Sequence, residues 1–471
     1  MPADRHQPSD ETIAAYFTTD TELDRRLGLF EAFSIVVGRI IGSGIFRTPG
    51  PIMSAVGLSV GLFFGVWVLG AFATILGAFL YAEMVAMMPR SGGPYAFLRA
   101  AYHPLWAFLR GWAMFFVSET AAIAAVSVVF AEYGNALFTA ATGAPYSRGT
   151  EVLIALGLIW SLTAANTFGV LLGGLIQDFF GIVKLLALGA VIGIGFLKGG
   201  NPAHFTAAGP GVELSWEAMI ALGAGLRYAF FAYSGWEGPT YIAEEVKNPR
   251  RTLPLSLFLG ISGIMVLYIA ANAAYLYQLS PAQMAESRTV AVDAMQMTVG
   301  AAGGMLISVA IMLNTFGNVS AQVMVKSRTW YAMARDGLFP RWLARIHPKY
   351  KTPNRALLVQ GVWASVLLVA VGFAEEAYDA LIDFFSFTST VFNISTFLAV
   401  WQLRRKFPDV QRPYKTWGYP FTLIIVLVIQ TWFLFVTLYD KPLYSLAGVA
   451  LTCTGLLYYY REKLFGIKTD G

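Results

Sequence analysis

Apolar residues in this chain come in long runs, and polar and charged residues are confined to the short gaps between them. The runs fall near residues 29–56, 59–86, 105–133, 150–168, 172–197, 217–243, 253–277, 301–330, 355–373, 378–401, 419–438 and 442–460. A helix that crosses the hydrocarbon of a bilayer needs about 20 mostly apolar residues. The pattern therefore predicts an all-α membrane protein with twelve transmembrane helices, called spans 1 to 12. Several runs exceed that length, which predicts tilt or breaks rather than straight rods. An even number of spans places both ends of the chain on one side.

Two runs are interrupted. Span 1 reads VVGRIIGSGIFRTPG, with Gly42, Ser43 and Gly44 near its middle. Glycine costs about 1 kcal/mol against alanine inside a helix, so two of them flanking a serine favour local unwinding. Span 6 reads RYAFFAYSGWEGPTYIAEE, where Ser234-Gly235 is followed by Gly238-Pro239. Proline lacks the backbone N–H that a continuous helix needs. Irregular backbone at membrane depth is tolerated only where protein or a water-filled cavity satisfies it. Interrupted helices at matching places in two halves point to a transporter site built on an inverted repeat. Spans 1 and 6 match if spans 1–5 and 6–10 are the two repeats, giving a 5+5 arrangement with broken helices 1 and 6.

The chemistry of such a site follows from its backbone. Unwinding leaves amide N–H groups at one half-helix N-terminus, which favour an anion, and carbonyls at the other half's C-terminus, which favour a cation. A zwitterion with carboxylate and ammonium on one carbon suits both. The N–H groups of Ser43, Gly44 and Ile45 are expected to take the carboxylate. The carbonyls of Ile40, Phe231, Ala232 and Ser234 are expected to take the ammonium, and Ile41, Gly42, Gly235, Trp236 and Glu237 complete the predicted site.

Composition narrows the class. The 471 residues are 56% hydrophobic and only 13% charged, about half the roughly 25% usual in soluble domains. That excludes a disordered chain, a disulfide-rich secreted domain and an ordinary cytosolic enzyme. No gap between runs exceeds about 25 residues, leaving no space for a nucleotide-binding domain. There is no GxxxxGK[ST], no HExxH and no cysteine cluster, and His6, His103, His204 and His347 fall in loops or at helix ends. No metal, cofactor, nucleic acid or covalent chemistry is expected. The one cysteine, Cys453, allows no intrachain disulfide. The polar first 26 residues lack the features of a signal peptide, so span 1 is expected to remain.

Charge placement orients the chain. Of 33 lysines and arginines, twenty-two lie in segments on one side and four on the other (Arg148, Lys198, Arg288, Lys441). Basic residues concentrate in cytoplasmic segments, so both termini are predicted to be cytoplasmic, in a plasma or inner membrane. The chain divides into a cytoplasmic N-terminal segment (1–27), a transport core of helices 1–10 (28–401), and helices 11–12 with a cytoplasmic C-terminus (402–471).

At this point the residues resemble a known group. IIGSGIF in span 1 and FAYSGWEGPTYIAEEVKNPRRTLP across span 6 are similar to the amino acid–polyamine–organocation superfamily, especially its L-type amino-acid exchangers. YAEMVAMMPRSGGPYAFLRAAYHP after span 2 and SRTWYAMARDGLFPRWLARIHPKYKTPNRALL after span 8 add to the likeness, which covers about residues 25 to 410. The resemblance implies a LeuT-type fold, an L-amino acid bound between spans 1 and 6, alternating access, and Phe231 as an aromatic gate. Lys184 matches a span 5 lysine that stands in sodium-independent members where sodium would bind. It would tie span 1 carbonyls to span 8 near Asn318 and Ser320. Animal members carry a cysteine after span 3 that bonds to a glycoprotein partner. Residues 134–149 contain none, so no disulfide-linked heavy chain is expected. The resemblance gives no account of Arg39, where members usually carry a small or uncharged residue.

Charges inside spans are costly and should face protein or water. Glu237 has two readings: it faces the substrate, favouring cationic or polar amino acids, or it pairs with Arg39. Glu119 is expected to be structural, satisfied by hydroxyls or Arg227. Arg47 is expected to close an external gate with Asp383, and Glu83 to pair with a basic cytoplasmic loop. The predicted activity is sodium-independent secondary transport of L-amino acids, by exchange or linked to protons. A polyamine or cationic amino-acid antiporter is the alternative, and a non-transporting amino-acid sensor is the alternative from another class.

Overall fold

A computed structural model describes residues 17–18, 25, 27–89, 93–168, 171–206, 215–335, 337–350, 352–374 and 376–461, with backbone alone for 171–182, 242 and 332. Most of the expected N-terminal segment and the last ten residues lie outside the described residues. Among those described, every named element is a helix, and the one bridge between extended residues joins Leu27 to Val246.

Span 1 is three helices: α1 (Leu29–Ile40), α2 (Gly44–Arg47) and α3 (Pro49–Ala55). α4 (Val60–Met87) follows, capped by the Ser59 hydroxyl, which accepts from Leu62 N. A loop helix, α5 (Pro94–Ala101), leads to span 3. Span 3 comprises α6 (Pro104–Ala113), a π-turn over Met114–Ser118 and α7 (Glu119–Thr142). Next come α8 (Arg148–Phe168), α9 (Leu171–Leu197) and α10 (Trp216–Ala232), the last followed by a 3₁₀ segment, Gly238–Glu245. α11 (Pro249–Gln278) is joined by short α12 (Pro281–Glu286) and α13 (Val290–Val299) to α14 (Ala301–Arg335). α15 (Asn354–Gly372), α16 (Ala377–Lys406), α17 (Phe421–Asp440) and α18 (Pro442–Tyr459) complete the chain.

Among the described residues nine helices are long and apolar enough to cross a membrane, and they coincide with runs 1–4 and 7–11. The other three runs are helical too. The side chains of α9 are described only from Val183, α10 breaks after 17 residues, and α18 carries Pro442, Tyr444, Tyr458 and Tyr459 near its ends.

Packing sorts the helices into two sets. α11 lies along α4 and α1, and α10 along α4, while α7 and α14 form the centre of a second set with α8, α9 and α15. α16 runs between the sets against α7, and α17 and α18 pack on its outer side. Large apolar side chains such as Leu306, Val266, Val428 and Phe435 are more than half exposed, as a lipid-facing surface requires.

Candidate functional site

The two breaks lie against each other. α1 stops at Ile40 because Ile41 turns to φ −68°, ψ 90°, and the chain resumes helically only at Gly44. Ser43 O accepts from Phe46 N and Arg47 N at 3.2 and 3.1 Å. The N–H groups of Ser43, Gly44 and Ile45 find no acceptor among the described residues. On the other strand of the site, α10 ends at Ala232, and Gly235 takes φ +92°, a conformation that excludes most side chains. Gly44 touches this second break: a β-carbon there would sit 2.5 Å from Ala232 Cα. The absence of a side chain at Gly44 is what lets the backbones meet.

The carbonyls freed by the first break are met by side chains from three other helices. Lys184 Nζ on α9 donates to Gly38 O at 2.9 Å, Tyr268 Oη on α11 to Ile40 O at 2.9 Å, and Asn314 Nδ2 on α14 to Gly42 O at 3.2 Å. Tyr268 also reaches Ala232 O, at 3.3 Å, so one buried hydroxyl spans both breaks. Phe231 O accepts from its own chain, from Ser234 Oγ at 2.7 Å and Ser234 N at 3.0 Å. A carbonyl oxygen has two lone pairs, so Gly38 O, Ile40 O, Gly42 O and Ala232 O, with one donor each, retain capacity for an ammonium, whereas Phe231 O already accepts two hydrogen bonds.

Around the breaks lies a central cavity. Its wall includes Ile40, Gly42, Ser43, Gly44, Phe231, Ala232, Ser234, Gly235, Trp236 and Glu237, with Lys184 and Asn318 opposite. Ile41 and Ile45 are fully buried behind that wall. Phe231 packs edge-on against Tyr378 and tilted against Phe385, both on α16 at 5.8 Å. Trp236 meets Tyr81 at 4.6 Å.

Several expected pairings are different in the structure. Arg47 and Asp383 are not partners. Arg47 Nε donates to Glu132 at 2.8 Å, with Asp379 at 3.7 Å. Asp383 faces Arg227 at 3.3 Å and Lys441 at 3.4 Å, and Arg227 also holds Asp440 at 2.7 Å. Asp379 and Asp383 are one turn apart on α16, so both face the same way, and Arg47 reaches only the earlier turn. Arg39 does not pair with Glu237. Its stem lies against the second break, its Cδ 2.6 Å from where a β-carbon of Gly238 would be, which turns the guanidinium over the Tyr241 ring at 5.8 Å. Glu119 is held by Lys326 at 2.8 Å rather than by Arg227. Lys184 reaches the span 1 carbonyl but does not bridge to Ser320, whose hydroxyl instead lies 3.4 Å from Asn166 Nδ2. Glu83 pairs as expected, with both its oxygens on Arg404 (2.8 and 2.7 Å) and Thr416 N at 2.7 Å.

A second pocket, lined by Arg47, Glu217, Arg227, Glu286, Arg288, Glu376, Asp379, Asp440 and Lys441, lies beyond these networks. Arg227 borders both spaces. The two buried ion networks and Phe231 thus stand between the central cavity and this pocket.

A sequence profile described as amino acid permease matches residues 27–456, nearly the whole chain. The chain belongs to the amino acid permease family. Its relatives include the large neutral amino acids transporter small subunit 2 of Homo sapiens, 33% identical over 444 residues (93% of this chain, 80% of the relative). The Asc-type amino acid transporter 1 of Homo sapiens is 32% identical over 447 residues (93% and 82%). The b(0,+)-type amino acid transporter 1 of Mus musculus is 30% identical over 444 residues (93% and 88%).

Three buried charges of this amino acid permease escaped sequence reasoning: Arg110, Glu132 and Lys326. Each sits in an apolar run, and that misplacement was the available signal. The π-turn before Glu119 had no such signal, since MFFVS contains neither glycine nor proline. π-turns often mark functional positions. This one ends on the carboxylate that lines the cavity.

Proposed function

We propose that this permease is a sodium-independent exchanger of L-amino acids. It has twelve spans in a LeuT-type 5+5 arrangement and cytoplasmic termini in a plasma or inner membrane. The observation that carries the reading is the contact of Gly44 with Ala232, because it brings unmet N–H groups and half-met carbonyls together beside one cavity. The substrate carboxylate binds the N–H groups of Ser43, Gly44 and Ile45. Its ammonium binds the carbonyls of Ile40, Ala232 and Ser234, and that of Phe231 once Ser234 Oγ releases it. Transport is a rocking of the set containing α1, α4, α10 and α11 against the set built on α7 and α14, with Phe231 and the Arg47 and Arg227 networks closing the outer side. The relatives' names, all amino-acid transporters, support the substrate class. In the cavity wall Lys326 is paired with Glu119, and Arg227 with Asp383 and Asp440, which leaves Arg39, Arg110 and Lys184 against Glu237 and disfavours polyamines and cationic amino acids.

Sodium independence is tested directly. Lys184 Nζ already occupies Gly38 O, so uptake of labelled L-leucine into proteoliposomes is expected to be equal in sodium and choline buffers. Lys184→Ala leaves that carbonyl unmet and is expected to lower uptake about tenfold, the effect of losing one charge-assisted hydrogen bond. A strict requirement for sodium in the parent protein would overturn this reading.

The outer closure gives a second expectation. In a Cys453→Ser, Ser43→Cys background, a membrane-impermeant thiol reagent added outside is expected to react slowly. Adding Arg47→Gln breaks the link from span 1 to Glu132 and Asp379, and labelling is expected to speed up severalfold. Unchanged labelling would remove Arg47 from the gate.

A further inference from the structure

α17 belongs to the pair of helices outside the ten-span repeat, and its sequence FTLIIVLVIQTWFLFVTLYD holds a single carboxamide, Gln430. The buried stripe of this helix is Leu423, Val426, Gln430, Phe433 and Val436 with Thr437, so Gln430 sits at mid-length on the face turned towards the bundle. It is only 5% exposed and lines the central cavity together with Phe433 of the same helix, Thr74 of α4, and Arg227 and Phe230 of α10. Phe230 and Phe433 meet edge-on at 5.0 Å and form an apolar wall beside it.

The Gln430 Oε1 atom is buried and has no hydrogen-bond donor among the described residues. Thr74 Oγ1 donates to Gly70 O at 2.7 Å, and Arg227 Nη1 is turned to Asp383 and Asp440, while Arg227 Nε, like Gln430 Oε1, is buried without a hydrogen-bond partner among the described residues. A buried amide without a partner is costly in water-poor surroundings, and polar groups at this depth in a membrane helix are functional more often than structural. Binding pockets orient ligands by a few placed polar groups in an apolar lining. A terminal amide offers both a donor and an acceptor whichever way it is turned.

We infer that the part of the cavity between α4, α10 and α17 is the subsite for the substrate's side chain, and that Gln430 is its specificity-determining residue, selecting uncharged hydrogen-bonding side chains, carboxamides above all, over hydrocarbon ones of equal length. The inference rests on the proposed binding of the substrate's carboxylate and ammonium at the paired breaks, because Phe230 is the immediate neighbour of Phe231 and carries the subsite next to that point. Cationic side chains are rejected by the surplus of cations in the cavity wall, and hydrocarbon ones leave Gln430 Oε1 unmet.

The test is competition for uptake of labelled L-alanine into proteoliposomes by L-glutamine and by L-norleucine. The parent protein is expected to favour glutamine about tenfold, the worth of one buried hydrogen bond with its desolvation. In Gln430→Met, and separately in Gln430→Leu, the ratio of the two inhibition constants is expected to fall to about one or reverse. That ratio does not depend on the amount of folded protein. An unchanged ratio in Gln430→Met, or a parent protein that favours norleucine, overturns the inference while leaving the amino-acid exchanger reading intact. Absence of any alanine uptake by the folded parent protein overturns both.

Discussion

Replacing Gly44 with valine is expected to abolish uptake while the protein still reaches the membrane. The cause is local. A β-carbon on residue 44 falls 2.5 Å from Ala232 Cα, 2.8 Å from its Cβ and 3.4 Å from its N, so no rotamer escapes the clash. Backbone has to move, and it is the backbone of both breaks. Separation of the breaks pulls the N–H groups of Ser43, Gly44 and Ile45 away from the carbonyls of Phe231 and Ala232, which must be close to hold one zwitterion. Overpacking a close contact costs about 1–3 kcal/mol, and a site misplaced by about 1 Å loses on the order of a hundredfold. Uptake in Gly44→Val is therefore expected at least about a hundredfold below the parent, with Gly44→Ala intermediate. Gly263, where a β-carbon meets open space, serves as a control: Gly263→Val is expected to transport normally. Undiminished uptake by Gly44→Val at normal membrane abundance would remove the paired breaks from the site.

The second large effect is expected at Lys326. Its ammonium is almost wholly buried, pairs with Glu119 at 2.8 Å and lies over the Tyr241 ring at 5.1 Å. The pair joins α7 to α14, the two helices at the centre of one packing set. Breaking a buried pair by removing one partner leaves the other charge without compensation, at about 3–5 kcal/mol. Lys326→Met is thus expected to lower the melting temperature in detergent by several degrees, with Glu119→Gln smaller because the retained amide oxygen still accepts a hydrogen bond from Lys326. The double variant Glu119→Gln, Lys326→Met removes both charges and is expected to recover most of the stability. Strictly additive losses in the two singles and the double would show that the pair contributes nothing as a pair.

These two sites differ in how visible they were in the sequence. The paired breaks were legible because their cause is local: Gly42-Ser43-Gly44 and Gly238-Pro239 weaken a helix wherever they stand. Lys184 on a span 1 carbonyl was legible through the resemblance. The charge partners were not, because the residues that meet are far apart in the chain, Glu119 and Lys326 among them. For Arg47 the choice between Asp379 and Asp383 is one helical turn, a difference set by how far the half-helix after the break extends. The π-turn over Met114–Ser118 arises from packing. The loop helix α12 did carry a signature, since Ser280 and Gln283 form a reciprocal capping box with Pro281 between them at the first helical position. Hydropathy alone passes over such a helix because it is too short to span anything.

The central claim is that an L-amino acid binds where the two breaks meet and is exchanged across the membrane. The most direct measurement is counterflow. Proteoliposomes holding the purified protein are loaded with unlabelled L-amino acid, diluted into sodium-free buffer, and followed for entry of trace labelled L-amino acid. The account predicts rapid entry that depends on internal L-amino acid and is lost in Gly44→Val. Binding of the label without entry, or entry indifferent to Gly44→Val, would contradict it.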